Sequence, residues 1–140
     1  GESVEVGYII MNHGGVEVPA RGPSTTTMDC VPPGDVNVLA VFGHMHEYGS
    51  QFGVQLEREG EMSTFYSVDE WTVDFRDDPP ITRFDPSSPF QLRGTDRLHM
   101  RCDFDNPTSE AILFPSEMCT TVMYYWPALP GGDRIYICES

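Results

Sequence analysis

His44 and His46 lie one residue apart inside the mainly apolar stretch VNVLAVFGHMHEYGSQFG, Val36 to Gly53. On a β-strand, residues at i and i+2 leave the same face of the sheet. Both imidazoles can then meet a single metal ion, while Met45 points the opposite way. Further along, Ser116-Glu117-Met118-Cys119 runs into the strand-like TTVMYYW. A Met118 thioether added to two imidazoles makes a soft three-ligand set with an open position, which suits copper better than zinc, calcium or magnesium. Two histidines and an open position also accept zinc. Imidazole ligates only when neutral, so affinity resting on these groups falls below about pH 6.5.

The other polar candidates read more plainly. His13, beside Gly14-Gly15, is a loop residue, and His99, between Leu98 and Met100, is a solvent-facing or hydrogen-bonded strand residue. Glu47 follows the second histidine and is placed to orient an imidazole as a supporting carboxylate, or simply to face solvent. Asp77-Asp78, Asp103 and Asp105 lack the spacing of an EF-hand and read as polar turns.

The elements that must carry these residues are strands. Val4–Met11, Thr25–Val31, Val36–His46, Gln51–Arg58, Met62–Val68, Trp71–Phe75, Arg97–Phe104, Glu110–Phe114, Thr120–Trp126 and Arg134–Cys138 are rich in β-branched and aromatic residues. Glu59-Gly60-Glu61 makes a hairpin turn after Gln51–Arg58. The stretch from Asp77 to Pro89 holds Pro79, Pro80, Pro86 and Pro89, which forbid regular structure there. Roughly eight to ten short strands, with turns at short spacing, predict an all-β chain folded as an antiparallel β-sandwich of jelly-roll type. Tyr124 and Tyr125 alternate faces, one in the core and one near the surface; Trp71 and Phe75 are core.

The 140 residues suffice for one domain with a real core, and no apolar run approaches the length of a membrane span. GESVEVGYII lacks the basic start and apolar stretch of a secretion signal and reads as the edge of a domain excised from a longer protein. The net charge is −14, from 22 acidic and 8 basic residues, every basic one an arginine. That balance discounts nucleic acid and anionic membranes as partners. Cys30, Cys102, Cys119 and Cys138 include no CxxC pair, so two disulfides are the better reading, with three pairings open. Disulfides imply an oxidising setting, secreted, extracellular or periplasmic.

Taken in order, Cys30-Val31-Pro32-Pro33-Gly34, His44-Met45-His46-Glu47-Tyr48-Gly49, Arg101-Cys102, Glu117-Met118-Cys119, Tyr124-Tyr125 and Ile137-Cys138-Glu139-Ser140 span nearly the whole chain. This series resembles the C-terminal catalytic domain of the copper type II, ascorbate-dependent monooxygenases, such as peptidylglycine α-hydroxylating and dopamine β-monooxygenases. The resemblance implies a sandwich of eight strands and one domain over 1–140. It implies one copper held by His44, His46 and Met118, and bridges Cys30–Cys138 and Cys102–Cys119. It further implies oxygen activation and hydroxylation of a small-molecule substrate. In that family a neighbouring domain holds a second copper through three histidines and draws electrons from ascorbate. Only His13 and His99 remain here for such a site, so an electron-supplying domain or partner outside the chain is expected. The peptide-hydroxylating branch grips a carboxylate with an Arg and a Tyr at positions held here by Phe42 and Val122. Two other readings keep the same sandwich without turnover: a recognition or structural module, and a copper storage or delivery domain.

Overall fold

Alternation of inward and outward side chains along most strands builds two facing sheets, because every second side chain of such a strand must find the core. The computed structural model describes residues 5–128 and 134–139; Val4 and Ser140 lie outside the described residues. The strands are β1 (Gly7–Asn12), β2 (Glu17–Val18), β3 (Gly22–Cys30), β4 (Val36–His44), β5 (Gly49–Arg58), β6 (Glu61–Val68), β7 (Ile81–Arg83), β8 (Phe90–Leu92), β9 (Arg97–Asn106), β10 (Ile112–Leu113), β11 (Thr120–Trp126) and β12 (Ile135–Glu139). One sheet runs β12-β1-β11-β4-β7, with β8 also on β4; the other runs β3-β9-β5-β6; β10 and β2 form a small pair. The result is an all-β, sandwich-like fold with more strands than expected.

Ile9, Met11, Val38, Val41, Met123 and Tyr125 of the first sheet meet Phe52, Val54, Leu98, Met100, Cys102 and Phe104 of the second, all at most 1% exposed. Each such large side chain contributes on the order of 1.5–3 kcal/mol by leaving water. The sheets pack closely where Gly43 meets Phe52: a Cβ on Gly43 would sit 2.5 Å from the ring. Gly43→Ala is therefore expected to destabilise by about 1–3 kcal/mol, read from the urea midpoint, because neither sheet can retreat without opening the core. An unchanged midpoint would mean that the sheets slide apart easily.

Both disulfides cross between the sheets. Cys30, at the end of β3, bonds Cys138 on β12, and Cys102 on β9 bonds Cys119 just before β11. No free cysteine is left.

Several elements differ from the sequence expectation. Trp71–Phe75 is not a strand: Trp71 is anchored by its N–H to the Ser50 carbonyl at 2.9 Å, and Val73–Arg76 then forms a 3-10 turn. Beyond that one bond to β5, the backbone is satisfied by the local turn, in which the Phe75 N–H donates to the Thr72 carbonyl at 3.0 Å. Trp71 is buried, and Phe75 packs edge-on against it with ring centres 5.6 Å apart. The proline-rich stretch does hold a strand, β7, because Ile81, Thr82 and Arg83 lie between the prolines and keep their N–H groups for the edge of β4. β12 lies parallel to β1, an exception to the antiparallel pairing elsewhere. The β5–β6 turn is as expected, with Glu59 at φ 55° and Gly60 at φ 80°, the two positive values a tight hairpin of this hand needs. Among the described residues no helix is long and apolar enough to cross a membrane.

Candidate metal centre

β4 ends at His44, whose register partner Thr120 opens β11. Beyond that rung the ladder has no strand to accept the next N–H, so His46 lies past the strand end and is held by other means. Glu117 supplies them. Its side chain, 0% exposed, accepts the His46 N–H at 2.5 Å and the Met118 N–H at 3.2 Å on Oε1, and the Tyr48 N–H at 3.1 Å on Oε2. One carboxyl group thus takes the place of a strand's carbonyls and ties the segment carrying His46 to the segment carrying Met118.

The imidazoles face each other, with Nε2 to Nε2 at 3.0 Å and ring planes inclined at 79°. His46 Nδ1 lies 2.9 Å from the Ser116 carbonyl, so it carries the proton and donates, leaving Nε2 as a lone pair. Burial pushes His44 below the usual histidine value, and His46 adds to this, against the hydrogen bond that a His44 ring N–H makes to the Arg76 backbone. His44 is therefore in its neutral, ligating form at neutral pH. Two convergent nitrogen lone pairs make a cradle for a cation. Met45 is fully buried on the opposite face, and a Cβ on Gly49 would sit 2.7 Å from its methyl, so only glycine fits there.

Met118 is half-buried beside the disulfide-bonded Cys119. Among the described residues no three His, Cys, Asp or Glu side chains gather closely enough to hold an ion by themselves.

The remaining candidates sort by their partners. Glu47 is exposed; the supporting carboxyl is Glu117, a position marked in the sequence only by one acid between Ser116 and Met118. His13 follows β1 and pairs its Nε2 with Thr26 Oγ1 at 2.6 Å. Asp103 accepts from Thr25 and Arg101, which fits a polar cluster. Tyr125 is core, and Tyr124 lies half-buried on the outer face.

His99 bridges three strands, with Nδ1 2.6 Å from Asp29 and Nε2 2.9 Å from Glu57. Burial lowers its pKa, but the bonds to Asp29 and Glu57 outweigh that and leave it raised. A raised folded-state pKa stabilises below the unfolded value of about 6.5, and the gain is lost as pH climbs through the folded value. Stability of the chain relative to His99→Gln is thus expected to shrink from pH 6 to pH 8; a difference that grows over that window would refute the assignment.

Residues 7–139 match the family model of the copper type II ascorbate-dependent monooxygenase C-terminal domain. The chain belongs to that family. No curated protein sequence matches it. Among solved structures, the nucleoplasmin-like N-terminal domain of Drosophila FKBP39 aligns at 8% identity and a TM-score of 0.41, over 94% of this chain and 99% of that one. An infectious bursal disease virus Gx strain structure aligns at 8% identity and 0.34, over 92% and 33%. Latent PorU from Porphyromonas gingivalis aligns at 9% and 0.26, over 87% and 13%. Within this monooxygenase domain, Phe42 and Val122 are direct register partners two pairs along from His44–Thr120, and neither offers a charge to a carboxylate.

Proposed function

We propose that the chain is the oxygen-activating half of a copper monooxygenase, holding one copper through His44, His46 and Met118. The facing Nε2 lone pairs carry this reading, supported by Glu117 joining the backbones of His46 and Met118. The donor set suits the metal: a thioether beside two imidazoles favours the cuprous state, and three protein ligands leave a position for oxygen. With copper bound, the chemistry supplied is activation of dioxygen for hydroxylation of a substrate C–H bond.

One oxygen atom enters the C–H bond and the other leaves as water, which consumes two electrons and two protons. The electrons come from a domain or partner other than these residues, with ascorbate as the reductant where that domain holds a second copper. His13 and His99 are engaged with Thr26 and with Asp29 and Glu57, which favours an external electron source over a second metal site here. The chain's own residues bind and orient: Ser116 fixes the His46 tautomer, Glu117 fixes the backbone, and the Cys102–Cys119 bridge anchors Met118's neighbour to the opposite sheet. Two inter-sheet disulfides support a secreted setting.

An anaerobic Cu(I) titration tests the reading. One tight equivalent is expected, abolished by His44→Ala. Met118→Ala should weaken Cu(I) binding by roughly tenfold or more while Cu(II) binding changes less, since the soft sulfur favours the cuprous ion. Cu(I) affinity indifferent to either change would leave the recognition-module reading in front.

A further inference from the structure

Two imidazole nitrogens 3.0 Å apart do not keep both lone pairs inward by themselves. Left alone, one ring turns an N–H to the other and closes the cradle with a hydrogen bond. Holding the cradle open needs an acceptor at the Nδ1 side of each ring. For His46 that acceptor is the Ser116 carbonyl. For His44, whose Nε2 is turned to His46, the remaining nitrogen is Nδ1, and its partner is the Arg76 backbone.

Arg76 ends the 3-10 turn Val73–Arg76, which buries no residue of its own and so needs an outside hold. Trp71 supplies it. Its N–H bonds to the Ser50 carbonyl at 2.9 Å, and its ring packs on Phe52, with centres 6.2 Å apart, and on Phe75 of the turn at 5.6 Å. Phe52 in turn lies against Gly43, the residue before His44. The indole N–H is buried without an acceptor among the described residues, so packing alone places the ring. Within the turn, the Asp77 N–H donates to the Asp74 carbonyl. That N–H shares a peptide plane with the Arg76 carbonyl, so this bond sets the direction in which the carbonyl points.

We propose that the Val73–Arg76 turn, anchored by Trp71, is a positioning element of the metal centre: the Arg76 carbonyl holds the His44 proton on Nδ1 and keeps Nε2 free for the ion. This rests on the metal-site reading and assigns how its first imidazole is kept ready. The two histidines are held from separate segments, His46 by Ser116 and Glu117 and His44 by this turn.

The test is Asp77→Pro, on an exposed residue outside the ligand set. Proline there removes the N–H bonded to Asp74 and drives Arg76 out of helical backbone, which re-aims its carbonyl. Asp77→Ala keeps the N–H and is the control. NMR of the ring nitrogens is read on metal-free protein at about pH 8, where imidazole is neutral. Wild type and Asp77→Ala are expected to carry the proton on Nδ1 in both rings. In Asp77→Pro, His44 should shift mainly to Nε2–H while His46 stays Nδ1–H, and Cu(I) affinity should fall about tenfold or more. Trp71→Leu, which loosens the turn from its other side, should do the same and serves if the proline variant fails to fold. Phe65→Leu, at a buried ring packed on Phe84 and Phe90 instead, should lose stability and leave both tautomers alone. The proposal is overturned if His44 carries its proton on Nε2 in the wild type, keeps it on Nδ1 in Asp77→Pro, or shifts it equally in Phe65→Leu. Cu(I) affinity indifferent to the shift overturns it as well. A tautomer that moves as expected, in a protein whose wild type binds no Cu(I), sinks the metal reading and leaves the hold on His44 standing.

Discussion

Glu117→Gln is expected to cost roughly 2–4 kcal/mol of stability and to weaken Cu(I) binding by about 10–100-fold. Glu117 is fully buried and accepts from three backbone N–H groups, with both oxygens engaged. An amide can keep its oxygen towards His46 and Met118, but its NH₂ then faces the Tyr48 N–H. Two donors are buried against each other, and each unsatisfied group costs about 1–3 kcal/mol. The loss falls on the segments carrying His46 and Met118, so geometry at the metal centre and stability decline together. Glu47→Gln, on an exposed neighbour, is the control and should change both by little. Urea unfolding and a competitive Cu(I) titration of both variants decide the matter. Full Cu(I) affinity in Glu117→Gln would show that the ligands hold their places without it.

Removing the two disulfides separately should give unlike results. Cys30–Cys138 closes a separation of 108 residues, and in the chain-entropy view its loss costs about 4–5 kcal/mol. It lies away from the histidine pair, so the Cys30→Ser/Cys138→Ser variant should keep its Cu(I) affinity wherever it remains folded. Cys102–Cys119 spans only 17 residues, worth about 3 kcal/mol by the same account. Cys119 is bonded in sequence to Met118 and gives its carbonyl to the His13 N–H at 3.1 Å. Its release loosens the Met118 segment, so the Cys102→Ser/Cys119→Ser variant should lose Cu(I) affinity out of proportion to its smaller loss of stability. Equal affinities in the two variants would disconnect the second bridge from the metal centre.

The parts of the site legible beforehand were those written in local spacing. His44 and His46 at i and i+2 after an apolar run were legible as a pair, and their rings do meet, although the strand ends at His44 and His46 is held by Glu117. The role of Glu117 was not legible. Its importance comes from contacts to His46 and Tyr48 some seventy positions away, and a lone acid before Met118 has no local mark that separates it from the exposed Glu47. The assignment of Trp71–Phe75 as a strand failed for a related reason: apolar content argues for burial, but a strand also needs a ladder along its length, and here only Trp71 bonds to β5 before the chain turns. The β7 segment shows the converse, with an edge that recruits three residues from a proline-rich stretch.

By itself, then, the sequence determined the all-β character, most strand positions, the tight turn at Glu59-Gly60 and the membership of a copper monooxygenase family. These follow from alternation, turn chemistry and ordered motifs, all read within short windows or along one chain order. Only the tertiary structure decided the parallel docking of β12 and the carboxyl that stands in for the missing ladder beyond His44. Each depends on which strands become neighbours. That choice is made by burial summed over two whole sheets, and no local window contains it.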